Sequence, residues 1–487
     1  FAFEEIFKIQ LGRLAARAEY EENPAYSILR NPKAEKEFIS RFPFTATAAQ
    51  VKAWEQILKD MSAKRPMLRL LEGDVGSGKT AVAAAAAFAT VQSGYEVAYM
   101  APTEILAQQH FESFIKYFSH LGIQIGLMTG SECRKFPSKV DPSGHTHISR
   151  TQLLKWVANG GIPILIGTHA LIQKSVEFES LALVIIDEQH RFGVNQRLTL
   201  RSKRRDNEPL PHLLSMTATP IPRTLALTLY GDLDLTLLDE MPKGRKPIIT
   251  EVVGPSDRAR VYAKMREEIK AGRQAYVICP RIAEPDPDKE MALNAKSVTE
   301  EAARLKREVF PDLEIRVLHS EVKPSEKDTI MADFLAHKSD ILVATSVIEV
   351  GVNVPNSTVI VIEGAERFGL AQLHQLRGRV IRSNHQAYCF AVTESKSKKS
   401  KDRLHALRDA KSGFDLAEHD LTLRGQGELS GRKQWGISDV GMEAIKNLKM
   451  VEAARTEAQN LLKVDPGLQK HPLLKTTAQD VSAVHFE

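Results

Sequence analysis

Residues 67–89 read MLRLLEGDVGSGKTAVAAAAAFA. An apolar run of strand character stops at a glycine-rich loop, and the loop passes directly into an alanine tract, the strongest of helix formers. Within it, Gly73-Asp-Val-Gly-Ser-Gly78-Lys79-Thr80 fits the pattern G-x-x-x-x-G-K-[ST]. The glycines let backbone N–H groups close around a phosphate, and the start of the following helix adds positive potential. Gly73, Gly76, Ser77 and Gly78 are therefore expected to form the cradle, with Lys79 reaching the β- and γ-phosphates and Thr80 binding Mg²⁺. A surface turn carrying a solvated lysine would need neither the flanking strand nor the helix.

Working outward, similar apolar runs recur: EVAYMAP, IQIGLMTG, PILIGT, LALVIIDE and HLLSMTAT, separated by helical stretches such as EILAQQHFESFIKYF. Runs apolar on both faces and joined by helical crossovers predict a parallel sheet covered by helices on each side. A second series follows in QAYVICP, EIRVLHS, ILVATS, VIVIEG and AYCFAV. Between the two lies DEMPKGRKPIITE, whose proline, glycine and basic residues have the composition of an interdomain linker. The expected fold is α/β, with two such domains in tandem. The change after about residue 393 to TESKSKKSKDR and then to glycine-punctuated helical sequence predicts a small C-terminal accessory region. This lysine run and RSKRR at 201–205 have the character of solvated surface.

VIIDEQHRF, residues 184–192, supplies the partner of the cradle. In P-loop NTPases a carboxylate at the end of a neighbouring apolar strand completes the Mg²⁺ shell. Asp187 can do this, and Glu188 beside it is suited to orient or deprotonate the attacking water.

Composition narrows the setting. The chain has 487 residues, 43% apolar and 26% charged, which implies several domains and no wholesale disorder. Its longest wholly apolar stretch, AVAAAAAFA at 81–89, is far shorter than the roughly 20 residues of a membrane helix. Three cysteines, Cys133, Cys279 and Cys389, stand in no metal-binding spacing, which points to a reducing compartment, and hence the cytoplasm. The net charge of +5 is only weak support for a polyanionic partner. The N-terminal FAFEEIFKIQLGRLAARAEY has the pattern of an amphipathic helix rather than a signal peptide, and without an initiator Met the chain is expected to be an internal fragment or a processed product.

Asp187-Glu188-Gln189-His190 resembles the D-E-x-H box of the superfamily 2 helicases, and other motifs of that superfamily follow in order. Gln50 in TATAAQ matches the glutamine that reads adenine; Thr103 in APTE, Thr129 beside Gly130, and Thr168 in GTH match residues that grip a nucleic-acid backbone. Thr217-Ala-Thr219-Pro resembles the motif that couples hydrolysis to domain movement, to which the resemblance also assigns His190. In Gln375-Leu-Arg377-Gly378-Arg379-Val-Ile-Arg382 the Q-x-x-G-R-x-x-R pattern implies a catalytic Gln375 and two arginines, Arg379 and Arg382, for the γ-phosphate. Arginine suits that role because its fixed fork of donors neutralises a phosphoryl transition state.

The wording VGSGKT, IIDEQHRFGV, MTATPIPRTLAL, VIEVGVNVPNS, ERFGLAQLHQLRGR and DLTLRGQGELSGRKQWG resembles the bacterial RecG family across about residues 40–440. DEQH favours that family over its relative, the transcription-repair coupling factors. The resemblance implies two tandem RecA-like domains, at 41–242 and 243–395, preceded by a linking helix segment at 1–40. It implies a translocation motif with a helical accessory region at 396–487, where Arg424 and Gln434 fall on the translocation pattern. His319, Thr345 and Glu349 are implied as further DNA-binding or coupling residues. The implied activity is ATP- and Mg²⁺-dependent translocation on double-stranded and branched DNA, such as stalled forks and Holliday junctions, in recombination and repair. The expected setting is a monomeric, nucleoid-associated motor with single-strand-binding or replication-fork proteins as partners and no membrane. Two other readings are a transcription-repair coupling motor and a DNA-binding module with impaired turnover. Four positions depart from the pattern: Ile381 stands for Gly, Asn353 for Asp, Gln426 for Pro and Trp435 for Ser. The family's N-terminal wedge domain is expected to be missing from this stretch.

Overall fold

The computed structural model describes residues 2–188, 208–219, 233–242, 246–280, 297–319, 321–345, 354–380, 385–410, 412–423 and 447–476. The chain forms two compact units. The first comprises residues 1–73, 77–240 and 421–487, and the second comprises 74–76 and 241–420.

The first unit carries a sheet of nine described strands: β1 Leu68–Gly73, β2 Glu96–Met100, β3 Ile125–Met128, β4 Cys133–Phe136, β5 Thr146–His147, β6 Ile164–Gly167, β7 Leu181–Ile186, β8 His212–Thr217 and β9 Asp234–Leu238. Their order is β5-β4-β3-β6-β2-β7-β8-β1-β9. All neighbours are parallel except β3–β4 and β4–β5. Every residue of β1, β2, β7 and β8 is buried, as in parallel strands covered on both faces, and this includes the polar Arg69, Glu72, Glu96, His212, Ser215 and Thr217.

Helices α1 Ala2–Glu21, α2 Pro32–Ser40, α3 Ala48–Met61, α4 Lys79–Gln92, α5 Glu104–Phe118 and α6 Arg150–Ala158 belong to this unit. Residues 81–90 of α4 are all buried, because alanines without bulk on any side let a helix run through a close-packed core. α5 starts at Thr103, whose hydroxyl accepts from Leu106 N, and its apolar stripe of Leu106, Ala107, Phe111, Phe114, Ile115 and Phe118 faces inward. At the base of the sheet the buried His212 ring accepts from Met67 N at 2.9 Å and donates to Tyr26 O at 2.6 Å. Burial depresses its pKa to about 4, so it stays neutral at physiological pH.

The second unit has six described strands: β10 Ile249–Val253, β11 Gln274–Ile278, β12 Ile315–Leu318, β13 Ile341–Ala344, β14 Ser357–Ile362 and β15 Tyr388–Val392. They are all parallel, in the order β10-β15-β14-β11-β13-β12. Helices α7 Arg258–Lys270, α8 Pro324–Leu335, α9 Leu370–Arg377 and α10 Lys398–Asp409 follow in chain order. β10 emerges from the tail of the segment read as a linker; its identity comes from pairing with β15, not from a local pattern.

The chain returns to the first unit through α11, Leu448–Val464, which packs along α1. Leu11 and Leu14 of α1 meet Ala458, Leu462 and Leu468, and Ile6 meets Val451 and Ala454. Arg17 then fixes α1 to β9 through two 2.8 Å hydrogen bonds to the Asp234 carboxylate. Among the described residues no helix is long and apolar enough to cross a membrane.

Candidate nucleotide and nucleic-acid site

The cradle begins where β1 ends. Gly78 has φ 92° and Gly76 has φ 83°, backbone states that side chains with a Cβ rarely adopt. Space is short as well: a Cβ on Gly78 would stand 2.1 Å from Gln50 Nε2 and displace that amide, and one on Gly73 would stand 2.6 Å from Ser77 Oγ and 2.8 Å from Leu238 Cβ. Lys79 Nζ donates to Gly73 O at 2.6 Å, folding the ammonium back over the loop. The buried Ser77 Oγ has no hydrogen-bond partner among the described residues. A tight loop with a cation folded over it and an unused buried hydroxyl suits a phosphate chain.

Gln50 ties this loop to α3. Its Oε1 accepts from Thr47 N at 3.0 Å while Thr47 Oγ1 accepts from Gln50 N, a reciprocal capping box, and its Nε2 donates to Ser77 O at 2.7 Å. Each end of the amide keeps one further hydrogen-bonding position, an acceptor and a donor side by side.

The acids sit at the end of β7. Asp187 is buried, with Oδ2 accepting from His110 Nε2 at 2.7 Å and Oδ1 accepting from Glu188 N at 3.0 Å. Burial acts to raise its pKa, but the hydrogen bond and charge of His110, with Lys79 and the Glu188 N–H, outweigh it and hold the carboxyl below its usual range. The Lys79 ammonium and the Asp187 carboxylate therefore share one electrostatic site. Glu188 has φ 50°, a left-handed conformation uncommon for a residue with a Cβ. Its Oε2 accepts from Ala218 N at 3.3 Å, just beyond Thr217, whose Oγ1 accepts from Thr219 N at 3.1 Å. Thr80 stands in the first turn of α4, directly after the loop. Thr80 and Asp187 thus offer hard oxygen donors, the kind that suits Mg²⁺.

The first unit also gathers the threonines assigned to the nucleic-acid backbone at the C-terminal ends of neighbouring strands. Thr103 follows β2, Thr129 follows β3 and Thr168 follows β6. Ala101 N donates to Gly167 O at 2.8 Å and Thr168 N to Met128 O at 3.3 Å, so the three ends are knitted together. Glu104 closes the group: its Oε1 accepts from Gly130 N at 2.9 Å and its Oε2 from Ser131 Oγ. The buried Thr168 Oγ1 has no partner among the described residues.

In the second unit, His319 follows β12 and Thr345 follows β13, joined by Thr345 N donating to Leu318 O at 3.3 Å. Gln375 is buried on α9, and Arg379 is buried in the turn Gly378–Val380. Arg377 is structural, donating to Leu407 O at 2.7 Å near the end of α10. His190, Glu349, Arg382, Arg424 and Gln434 lie outside the described residues, as do Asn353, Ile381, Gln426 and Trp435.

Sequence reasoning missed Tyr99, His110 and the clamp role of Glu104. A signal for His110 was present: it is the one titratable side chain on the inward stripe of α5, and a buried polar group demands a partner.

Two family models match the chain, a DEAD/DEAH box helicase model over residues 47–228 and a helicase conserved C-terminal domain over 260–384. An ATP-dependent DNA helicase RecG of Synechocystis sp. is 44% identical across 97% of this chain and 54% of its own length. One of Bacillus subtilis is 44% identical across 96% of this chain and 65% of its own. The chain belongs to the RecG helicase family. It spans between about half and two thirds of the length of these RecG relatives. A solved structure of RecG bound to a three-way DNA junction matches with a TM-score of 0.74 at 39% identity, covering 93% of this chain and 56% of that one. The tandem RecA-like architecture follows from the two sheets and this likeness together.

Proposed function

We propose that this chain is an ATP-driven motor of RecG type that translocates on double-stranded DNA and remodels branched DNA. The observation that carries the proposal is the placement of Asp187 at the end of β7, one strand away from β1, whose end opens into the loop of positive-φ glycines that leads to Lys79. Lys79 and the backbone of Gly73–Thr80 bind the β- and γ-phosphates. Thr80 and Asp187 hold Mg²⁺, which when bound neutralises phosphate charge. Glu188 orients the attacking water and takes its proton. The paired acceptor and donor left on Gln50 match the edge of adenine. The Q-x-x-G-R-x-x-R pattern supports assigning Gln375, Arg379 and Arg382 to the transferring phosphoryl group.

Thr103, Thr129 and Thr168 with their strand ends supply one grip on the DNA backbone, and His319, Thr345 and Glu349 a second. Such contacts read no base, so sequence preference is slight. His190, Thr217 and Thr219 couple hydrolysis to movement, and Arg424 and Gln434 belong to the translocation segment. Branched DNA as substrate is supported by the family membership and by the junction bound to the RecG of known structure.

The test is ATPase activity with no DNA, linear duplex and a three-way junction, for the wild type and Lys79→Ala. Junction-stimulated activity that vanishes in Lys79→Ala is expected. Activity indifferent to DNA, or surviving the substitution, would remove the assignment.

A further inference from the structure

Behind a proposed Mg²⁺ ligand runs a line of buried side chains that the motif chemistry does not use. Asp187, at the end of β7, is joined through His110 on α5 to Tyr99 on β2. The Tyr99 hydroxyl lies against the His110 ring, 3.2 Å from Nδ1 and 3.4 Å from Nε2, and His110 Nε2 lies 2.7 Å from Asp187 Oδ2. The bridge therefore runs back from a proposed metal ligand through three elements of the first unit, β7, α5 and β2. Packing holds its far end: Tyr99 is fully buried, its ring centroid 4.7 Å from that of His110 and 5.4 Å from that of Phe114, edge-on.

We propose that His110 and Tyr99 are positioning residues that set the Asp187 carboxylate in the orientation Mg²⁺ requires. The argument rests on the assignment of Asp187 above. Mg²⁺ demands near-octahedral geometry with short bonds and tolerates misplaced ligands poorly. Two hydrogen bonds, from His110 and from Glu188 N, stop the carboxylate rotating and leave one lone pair on each oxygen for the metal and its waters. Partners that orient ligands in this way typically control metal affinity by about 10- to 100-fold.

The experiment titrates Mg²⁺ against binding of a fluorescent N-methylanthraniloyl-ATP, with a parallel titration in EDTA, for the full chain and five variants. In His110→Ala the half-saturating Mg²⁺ concentration should rise about 10- to 100-fold while nucleotide affinity in EDTA stays unchanged. Tyr99→Phe should raise it by a smaller factor, and His110→Gln, whose amide nitrogen reaches the same carboxylate oxygen, should restore most of the loss. The Mn²⁺ electron paramagnetic resonance signal of the nucleotide complex should broaden in His110→Ala and recover in His110→Gln. Superimposable Mg²⁺ curves, or equal weakening with and without metal, would overturn the proposal. Should His110→Ala fail to fold, Tyr99→Phe decides: an unshifted Mg²⁺ midpoint overturns it. Asp187→Ala and Thr80→Ala separate the levels. If both match the wild type, the Mg²⁺ assignment itself fails; if both shift while His110→Ala does not, only the bridge fails.

Discussion

Gln50 donates its amide to the Ser77 carbonyl at 2.7 Å, and a Cβ on Gly78 would collide with that same amide nitrogen at 2.1 Å. One side chain therefore sets both the cap of α3 and the width of the cradle. Gln50→Ala should weaken ATP binding about three- to tenfold, as expected for one lost buried hydrogen bond. Gly78→Ala should weaken it more, because positive φ adds to the collision. The double variant should bind better than the sum of the two losses predicts, since removing Gln50 removes the clash but not the strain. Strict additivity in fluorescent-nucleotide titrations would refute the steric link.

Glu188 combines a left-handed backbone with a side-chain acceptor for Ala218 N. Glu188→Gln keeps an oxygen for that contact and loses only the base. It should lower kcat by about 10²- to 10⁴-fold with ATP affinity nearly unchanged. Glu188→Ala loses the clamp too, and should also lower the melting temperature. Equal kcat for wild type and Glu188→Gln in a junction-stimulated ATPase assay would exclude the general-base role.

The parts of this molecule legible in its sequence are those whose cause is local. LALVIIDE and VIVIEG announce β7 and most of β14 because strands covered on both faces are rich in apolar residues, and Gly73–Thr80 declares itself because φ, space and charge are all demanded within eight residues. β4, CRKF, buries only its first and last residues, lies between β3 and the two-residue edge strand β5, and carries no comparable run. β10 exists through its partner β15. The pairing of α1 with α11 joins the two ends of the chain, and His110 with Asp187 joins positions 77 residues apart. Such contacts are set by topology, which periodicity within a window does not encode. His110 left only an indirect trace, a polar residue on an apolar stripe.

Glu104 holds the loop after β3 by accepting from Gly130 N and Ser131 Oγ. It positions a proposed DNA-gripping loop without supplying a cation of its own. Glu104→Ala should weaken duplex binding about three- to tenfold by freeing two donors, yet leave the slope of log affinity against log salt unchanged. Losing a direct phosphate contact would reduce that slope by about one. Binding isotherms at several salt concentrations distinguish the two, and a reduced slope would count against the clamp.

His212 gives the stability of the first unit a pH dependence of definite sign. Its folded pKa is depressed by burial to about 4 from the ordinary 6.5. Above the ordinary value the ring is neutral in both states and its two hydrogen bonds, from Met67 N and to Tyr26 O, contribute fully. As pH falls through the window between the two values, the unfolded chain takes up a proton that the folded chain refuses, so stability is lost on acidification. Between pH 7 and 5 this amounts to about 2 kcal/mol. His212→Asn keeps an acceptor near Met67 N and does not titrate. It should start less stable at pH 7 and lose about 2 kcal/mol less than the wild type on going to pH 5, as read by urea unfolding. Other groups shift both curves alike, so the difference between the two proteins isolates the ring. Parallel curves would show that His212 takes up its proton as readily in the folded protein as in the unfolded chain, and that burial does not keep it neutral.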